Sequence, residues 1–253
     1  VIKIKNNFIN EVANGNIYGY KVIDIFGFNS LISESESADV WEGGGKYVYD
    51  VYGTAPIESL VSNDNTDNVP IKITGLNIEG IEVEQIVNLN GSTRVSLNIP
   101  LWRIFKMEND GASDLKGCVF CYTGTGNVPN IGDNTIRCII KGNNNKSLMG
   151  IYTIPKGKTG YLVKGEFGIE FTGNVGAGTN YATCHYESRR INKTFKVKKK
   201  ISLITLGCSL YTDKRSFPDP IPELTDIKLV VDEVSENIGI WGAFDILLKD
   251  NNL

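Results

Sequence analysis

Residues 71–86, IKITGLNIEGIEVEQI, decide the fold class. Ile71, Ile73 and Gly75 alternate with Lys72 and Thr74; beyond a turn, Ile81, Val83 and Gln85 alternate with Glu82, Glu84 and Ile86. Successive side chains on a strand point to opposite faces, so this period of two predicts a hairpin with one buried and one wet face. Leu89-Asn90-Gly91 follows, and Asn-Gly is the dipeptide best suited to a turn with positive φ.

Outward from this hairpin the same signature recurs. On the N-terminal side, KVIDIFGF (21–28) reads as a strand, followed by the acidic loop SESESAD (33–39) and a triple-glycine turn. KYVYDVY (46–52) then predicts a strand with Tyr47, Tyr49 and Val51 on one face and Val48 and Tyr52 on the other. On the C-terminal side, RIFKM (103–107) and CVFCY (118–122) predict a further strand pair. Seven more strand-like segments follow: RCIIKG, SLMGIYTIP, TGYLVKGEFGIEF, YATCHYESRR, KTFKVKKKISLITL, TDIKLVVDEV and GIWGAFDILLKD. No stretch carries a capped 3.6-residue period. The expected fold is all-β, with two β-sandwich or jelly-roll-like domains and an extended N-terminal arm. The glycine- and asparagine-rich passage 123–134 suggests the boundary. This gives an arm (1–20), a first sandwich (21–127) and a second, jelly-roll-like sandwich (128–253).

Composition narrows the function. With 41% hydrophobic and 22% charged residues the 253-residue chain is globular, and its 27 glycines fit many tight turns. A net charge of −3 gives no basic face for general nucleic-acid binding. No apolar run reaches membrane-span length, and VIKIKNNFIN lacks the apolar core of a signal peptide. Five cysteines, an odd number without a dense framework, fit a reducing compartment.

Each constellation that suggests chemistry has a plainer reading. Cys118 and Cys121 have C-x-x-C spacing, but residues three apart on a strand diverge, and Cys138, Cys184, His185 and Cys208 are scattered. Core thiols are the expectation, with no metal and no cofactor. His185, the sole histidine, has no nucleophile elbow to serve. Gly43-Gly44-Gly45 and GNVGAGTN lack the phosphate-loop Lys-Ser/Thr. Glu34, Glu36, Asp39 and Glu42 lack calcium-loop spacing. A glycosidase carboxylate pair has no motif to mark it.

The readable surface feature is KTFKVKKKISL (193–203). Phe195, Val197, Ile201 and Leu203 share one parity and Lys196, Lys198 and Lys200 the other, predicting a buried face and a basic face. Expected protein contacts are this lysine row and the proline-rich FPDPIP loop: Lys196, Lys198, Lys200, Phe217, Pro218 and Pro220. The arm, which shows no turn to close it onto the first sandwich, is expected to pair as a strand with a neighbour.

Several segments together resemble a family of virion structural proteins of tailed bacteriophages. They are IDIFGFNS (23–30), SESESADVWEGGGKYVY (33–49), GLNIEG (75–80), LNG (89–91), RIFKM (103–107), GTG (124–126), KSLMGIYTIPKGKTGYL (146–162) and FDILLKDNN (244–252). KSLMGIYTIPKGKTGYL is the most specific; the KTFKVKKK strand and the cysteines depart from the pattern. The resemblance covers the chain from about residue 20 onward. It implies a non-enzymatic virion component of two-part β architecture, made in the host cytoplasm. Small soluble β-domains that oligomerise suit a repeating shell, which favours an auxiliary or decoration protein on the capsid. Its partners would be the major capsid protein or other virion proteins, and further copies of itself, with neither membrane nor nucleic acid. The alternatives are a neck, tail or receptor-binding component, and a polysaccharide-binding or depolymerase protein.

Overall fold

A computed structural model describes residues 8–33, 37–126, 128–170, 180–205, 210–214, 218–235 and 238–253. Phe217, Cys208, Glu34, Glu36, residues 1–7 and most of the GNVGAGTN loop lie outside the described residues.

Strands predominate among the described residues, with very little helix. A short helix α1 (Phe8–Ala13) precedes β1 (Tyr20–Ile32) and the two-residue β2 (Ala38–Asp39). Next come β3 (Ile57–Ser62), β4 (Pro70–Leu76), β5 (Glu82–Asn88) and β6 (Val95–Leu101). β7 (Arg103–Asn109), β8 (Val119–Thr123), β9 (Ile136–Ile140) and β10 (Ile151–Thr153) follow. The last third holds β11 (Lys158–Glu170), β12 (Asn180–Arg190), β13 (Lys196–Thr205) and β14 (Leu210–Lys214). β15 (Pro220–Ile221), β16 (Thr225–Val234) and β17 (Ile238–Asp250) complete it.

One sheet runs β1-β17-β11-β14, with β15 added to β11; a second runs β10-β16-β12-β13, with β2 added to β16. Every ladder is antiparallel. Take the eight principal strands in chain order: β1, β10, β11, β12, β13, β14, β16, β17. The first sheet is then first-eighth-third-sixth, and the second is second-seventh-fourth-fifth. That is the double Greek key of an eight-stranded jelly roll. Inward residues of both sheets share one core, including Ile25, Phe167, Tyr186, Leu229 and Phe244.

Strands β3 to β9 form a separate sandwich inserted between β2 and β10. Its sheets run β6-β3-β8-β9 and β5-β4-β7, around Leu60, Ile73, Met107, Phe120 and Ile139. The predicted 71–86 hairpin is β4 and β5, with Ile71, Ile73, Gln85 and Val87 buried and Glu84 and Ile86 exposed. Gly91 takes φ 52° in the expected turn.

The insert leaves and returns through a two-stranded root. Gly150 N donates to Val40 O at 2.8 Å, and Trp41 and Met149 form an antiparallel bridge. Gly27 packs on this crossing: a Cβ there would overlap the Gly150 nitrogen and the Val40 oxygen.

Several expectations are corrected. The boundary at 127/128 does not separate the two cores. β1 pairs with β17 from Tyr20–Lys249 to Ile32–Ile238, so the first strand belongs with the last. Passage 123–134 is the loop of the β8–β9 hairpin, inside the insert. RIFKM and CVFCY are not partners: β7 pairs with β4, and β8 with β3 and β9. Residues 46–51 join no ladder, and side chains engage several of their backbone groups. Tyr47 N donates to Asp39 Oδ2, and Asp50 O accepts from Trp102 Nε1 and Arg103 Nη1. Part of the arm folds back on its own chain as α1, with Val12 buried and Phe8 edge-on to Tyr20 at 5.3 Å.

Candidate functional site

The lysine row is broken by a β-bulge. In the β12–β13 ladder Lys200 opposes His185 and Lys199 opposes Tyr186, but Val197 opposes Glu187, leaving Lys198 unpaired. One extra residue reverses the facing of everything beyond it. Lys199, still in register with Ile201 and Leu203, continues their inward row and closes the sandwich edge on Asp213 at 2.9 Å; the reversal begins beyond it. Val197, expected inside, is 54% exposed. Lys200 stays on the outer face, paired with Asp232 at 2.9 Å.

Lys196 and Lys198 instead open onto a groove of about 320 Å³ at the end of the jelly roll, and Pro220 lines it too. Leu162, Tyr186 and Ile227 contribute core side chains from β11, β12 and β16; Ile221 and Pro222 stand beside Pro220. Arg190, Lys193, Lys196 and Lys198 are exposed around it, and none of the four has an ion-pair partner among the described residues. Of its carboxylates, Glu187 is engaged by His185 Nε2 at 2.9 Å and by Lys228 at 3.5 Å, leaving Asp219 against the four cations. Thr225 also lines the groove, and its buried hydroxyl finds no hydrogen-bond partner. Of the six expected contact residues, three therefore converge here. Pro218 lies in a separate shallow hollow with Phe8, Tyr20 and Leu247, and Phe217 lies outside the described residues.

The sequence reading missed Arg190, Lys193 and Thr225. Seven Lys and Arg residues between 189 and 200 were the available signal for the first two. Thr225 had none, because only the fold brings it to the β12–β13 turn.

Behind the groove runs a buried charged seam where the insert packs on the outer face of the second sheet. Arg103 reaches Asp226 through Nε at 3.2 Å and Nη2 at 3.3 Å. Asp226 also accepts from Arg189 Nε at 2.9 Å and Thr153 Oγ1 at 2.7 Å. Arg137 binds both carboxylate oxygens of Asp50 at 2.8 Å. Lys228 pairs with Asp39 at 2.7 Å, and burial raises the Asp39 carboxyl against that pairing. The Arg103 and Arg189 guanidinium groups lie 5.0 and 4.6 Å from the centroid of the Tyr49 ring. Satisfied on nearly all sides, these charges fix the orientation of the two sandwiches.

His185 sits between Asp232 Oδ2 at 3.0 Å and Glu187 Oε1 at 2.9 Å. The neighbouring Cys184 points into the core, where burial pushes its thiol up to about 12. The Cys118–Cys121 pair is likewise split: Cys118 is half-buried, while Cys121 is buried opposite Cys138 across the β8–β9 ladder. Among the described residues no group of three His, Cys, Asp or Glu side chains is placed to hold a metal ion.

No protein-family model matches the chain, and no curated protein matches it. Among solved structures, it is similar to a chain of the infectious bursal disease virus Gt strain. The identity is 13%, over 91% of this chain and 72% of that one, with a TM-score of 0.21. A mutant VP2 protein of infectious bursal disease virus, from derived T=1 particles, gives 11% identity over 92% and 79%, with a TM-score of 0.14. Scores this low carry no argument about either fold or role.

Proposed function

We propose that the chain is a non-enzymatic structural component of a tailed-bacteriophage particle, attached to the capsid as an auxiliary or decoration protein. The observation that carries this reading is the strand order, an eight-stranded jelly roll with a second sandwich inserted in its first connection. Jelly rolls serve as viral capsid domains, and also as lectins and cupins, so fold alone does not choose among them.

The sequence resemblance supports the virion reading, because its motifs meet in space. WEGGGKYVY and KSLMGIYTIP, about a hundred residues apart, are the outgoing and returning arms of the insert root. GLNIEG, the β4–β5 turn, docks on the same returning arm through Lys156 N to Gly80 O at 2.8 Å. IDIFGFNS is the β1 segment whose Gly27 packs on the crossing. These four of the eight segments build one joint, the feature most particular to this architecture.

An electron-microscopy map of the intact particle, with copy number by quantitative mass spectrometry, tests the proposal. Density for both sandwiches on the shell, repeated with the capsid lattice, is the expected result. A ring of about a dozen copies at the neck or tail would move the protein there. Absence from the particle, with loss of polysaccharide viscosity on incubation, would replace the reading with a depolymerase.

A further inference from the structure

Resting on that reading, we propose that the groove at the end of the jelly roll binds an acidic peptide segment of a virion partner, which inserts one apolar side chain between the two sheets. Three observations converge on it. The walls are apolar where the sandwich opens: Leu162 and Ile227 come from opposite sheets, and Pro220, Ile221 and Pro222 close the side. The surroundings are basic: among the described residues that line the groove, Arg190, Lys193, Lys196 and Lys198 face a single uncommitted carboxylate, Asp219. The Thr225 hydroxyl, on a residue that lines the groove, is buried without a partner, and a ligand carbonyl or carboxylate would accept from it once the side chain turns towards the groove.

Charge complementarity selects the occupant. Four cations around an apolar recess suit carboxylates flanking a hydrophobic residue, and a volume near 320 Å³ holds one large side chain with adjoining backbone. A nucleic-acid partner fits less well, because among the described residues no exposed aromatic ring lines the groove for a base to stack on. Lysines on an edge strand also guard against edge-to-edge aggregation, and the bulge at Lys198 adds to that protection. That role alone leaves the apolar walls and the Thr225 hydroxyl without a purpose.

The test is fluorescence anisotropy on the full chain, with fluorescein-labelled acetyl-Asp-Glu-Leu-Asp-Glu-amide as probe, at low and high salt. The expected result is saturable binding that weakens at least tenfold in the K196S/K198S double variant, within twofold of wild type in Lys200→Ser. Thr225→Val should weaken it severalfold, and a probe with Ser for Leu should bind at least tenfold more weakly. Melting temperatures of the variants verify that each is folded. The proposal is overturned by no saturation below about 1 mM, by equal losses in the Lys200 and Lys196/Lys198 variants, or by indifference to the probe's leucine. Binding of sodium decanoate with rejection of the peptide would overturn it in favour of a small-molecule site. If the probe binds as expected but the chain is absent from particles, the particle reading fails and the groove stands. If the chain is on particles and K196S/K198S attaches as well as wild type, the groove's role in docking fails alone.

Discussion

Arg103 and Asp226 are 123 residues apart in the chain and form a two-point ion pair that is almost wholly buried. One belongs to the insert and the other to the jelly roll, so the pair is the electrostatic latch between the two sandwiches. Its neighbours complete it: Arg103 Nη1 also donates to Asp50 O, and Arg189 and Thr153 donate to Asp226. Trp102, fully buried, adds an apolar contact at the same place, with Arg103 stacked 4.2 Å from its ring centroid.

Replacing Asp226 with Ala strips three donors of their acceptor and leaves Arg103 buried without its counter-charge. A loss of about 3–5 kcal/mol is expected by urea unfolding. Arg189→Ala, which removes a partly exposed cation and keeps the Arg103 pair, should cost only about 1–2 kcal/mol. Equal costs for the two variants would mean that the latch is not centred on Arg103.

Most strands were legible because alternation is local, although KYVYDVY alternates and joins no ladder. Ile71 to Ile86 states its own pairing, and each strand-like segment of the second half became a strand. The topology was not legible: nothing in KVIDIFGF says that its partner lies at 238–250. The domain boundary failed for that reason, since a loop rich in glycine looks the same inside a hairpin as between domains. At the groove, the basic run was visible, yet a single bulge at Lys198 redirected the row. The latch was invisible because ion-pair partners far apart in sequence leave no spacing to read.

Gly27 should tolerate no side chain. A methyl group there collides with backbone atoms of residues 40 and 150, which cannot rotate away. Gly27→Ala should cost at least about 3 kcal/mol, or leave the protein insoluble. Gly44→Ala is the control: Gly44 has φ 74° and open space around its Cα, so only left-handed backbone strain applies, about 1 kcal/mol. Comparable urea midpoints for the two variants would refute the close-packed crossing.

Protease should nick the exposed stretch around 124–126 and 130–134 without dividing the molecule. β8 and β9 flank it and pair directly, and residues on both sides share the insert core. The two fragments should co-elute at full size in native chromatography and separate only in denaturant. Fragments that part under native conditions would restore a domain boundary at this loop.

Glu42 makes the insert root sensitive to pH. Its Oε1 accepts from Asn144 Nδ2 at 2.7 Å and its Oε2 from Leu148 N at 3.1 Å, yet burial dominates and raises its pKa from the usual 4.5 to about 7. The folded protein therefore holds this proton more tightly than the unfolded chain does. Its contribution to stability is fully present below pH 4.5 and is lost as pH rises through about 7, roughly 3 kcal/mol in all. Glu42→Gln removes the titration and keeps an acceptor for Leu148 N, with the Asn144 amide turned to accept from the new NH2 group. Urea unfolding of both proteins from pH 4.5 to 8 should give nearly equal stability at the acid end. The variant should pull ahead as wild type loses stability towards neutrality, because the buried carboxylate ionises at the point where the insert joins the jelly roll. Parallel curves for the two proteins would show that Glu42 stays hydrated, and that the root opens more than its packing indicates.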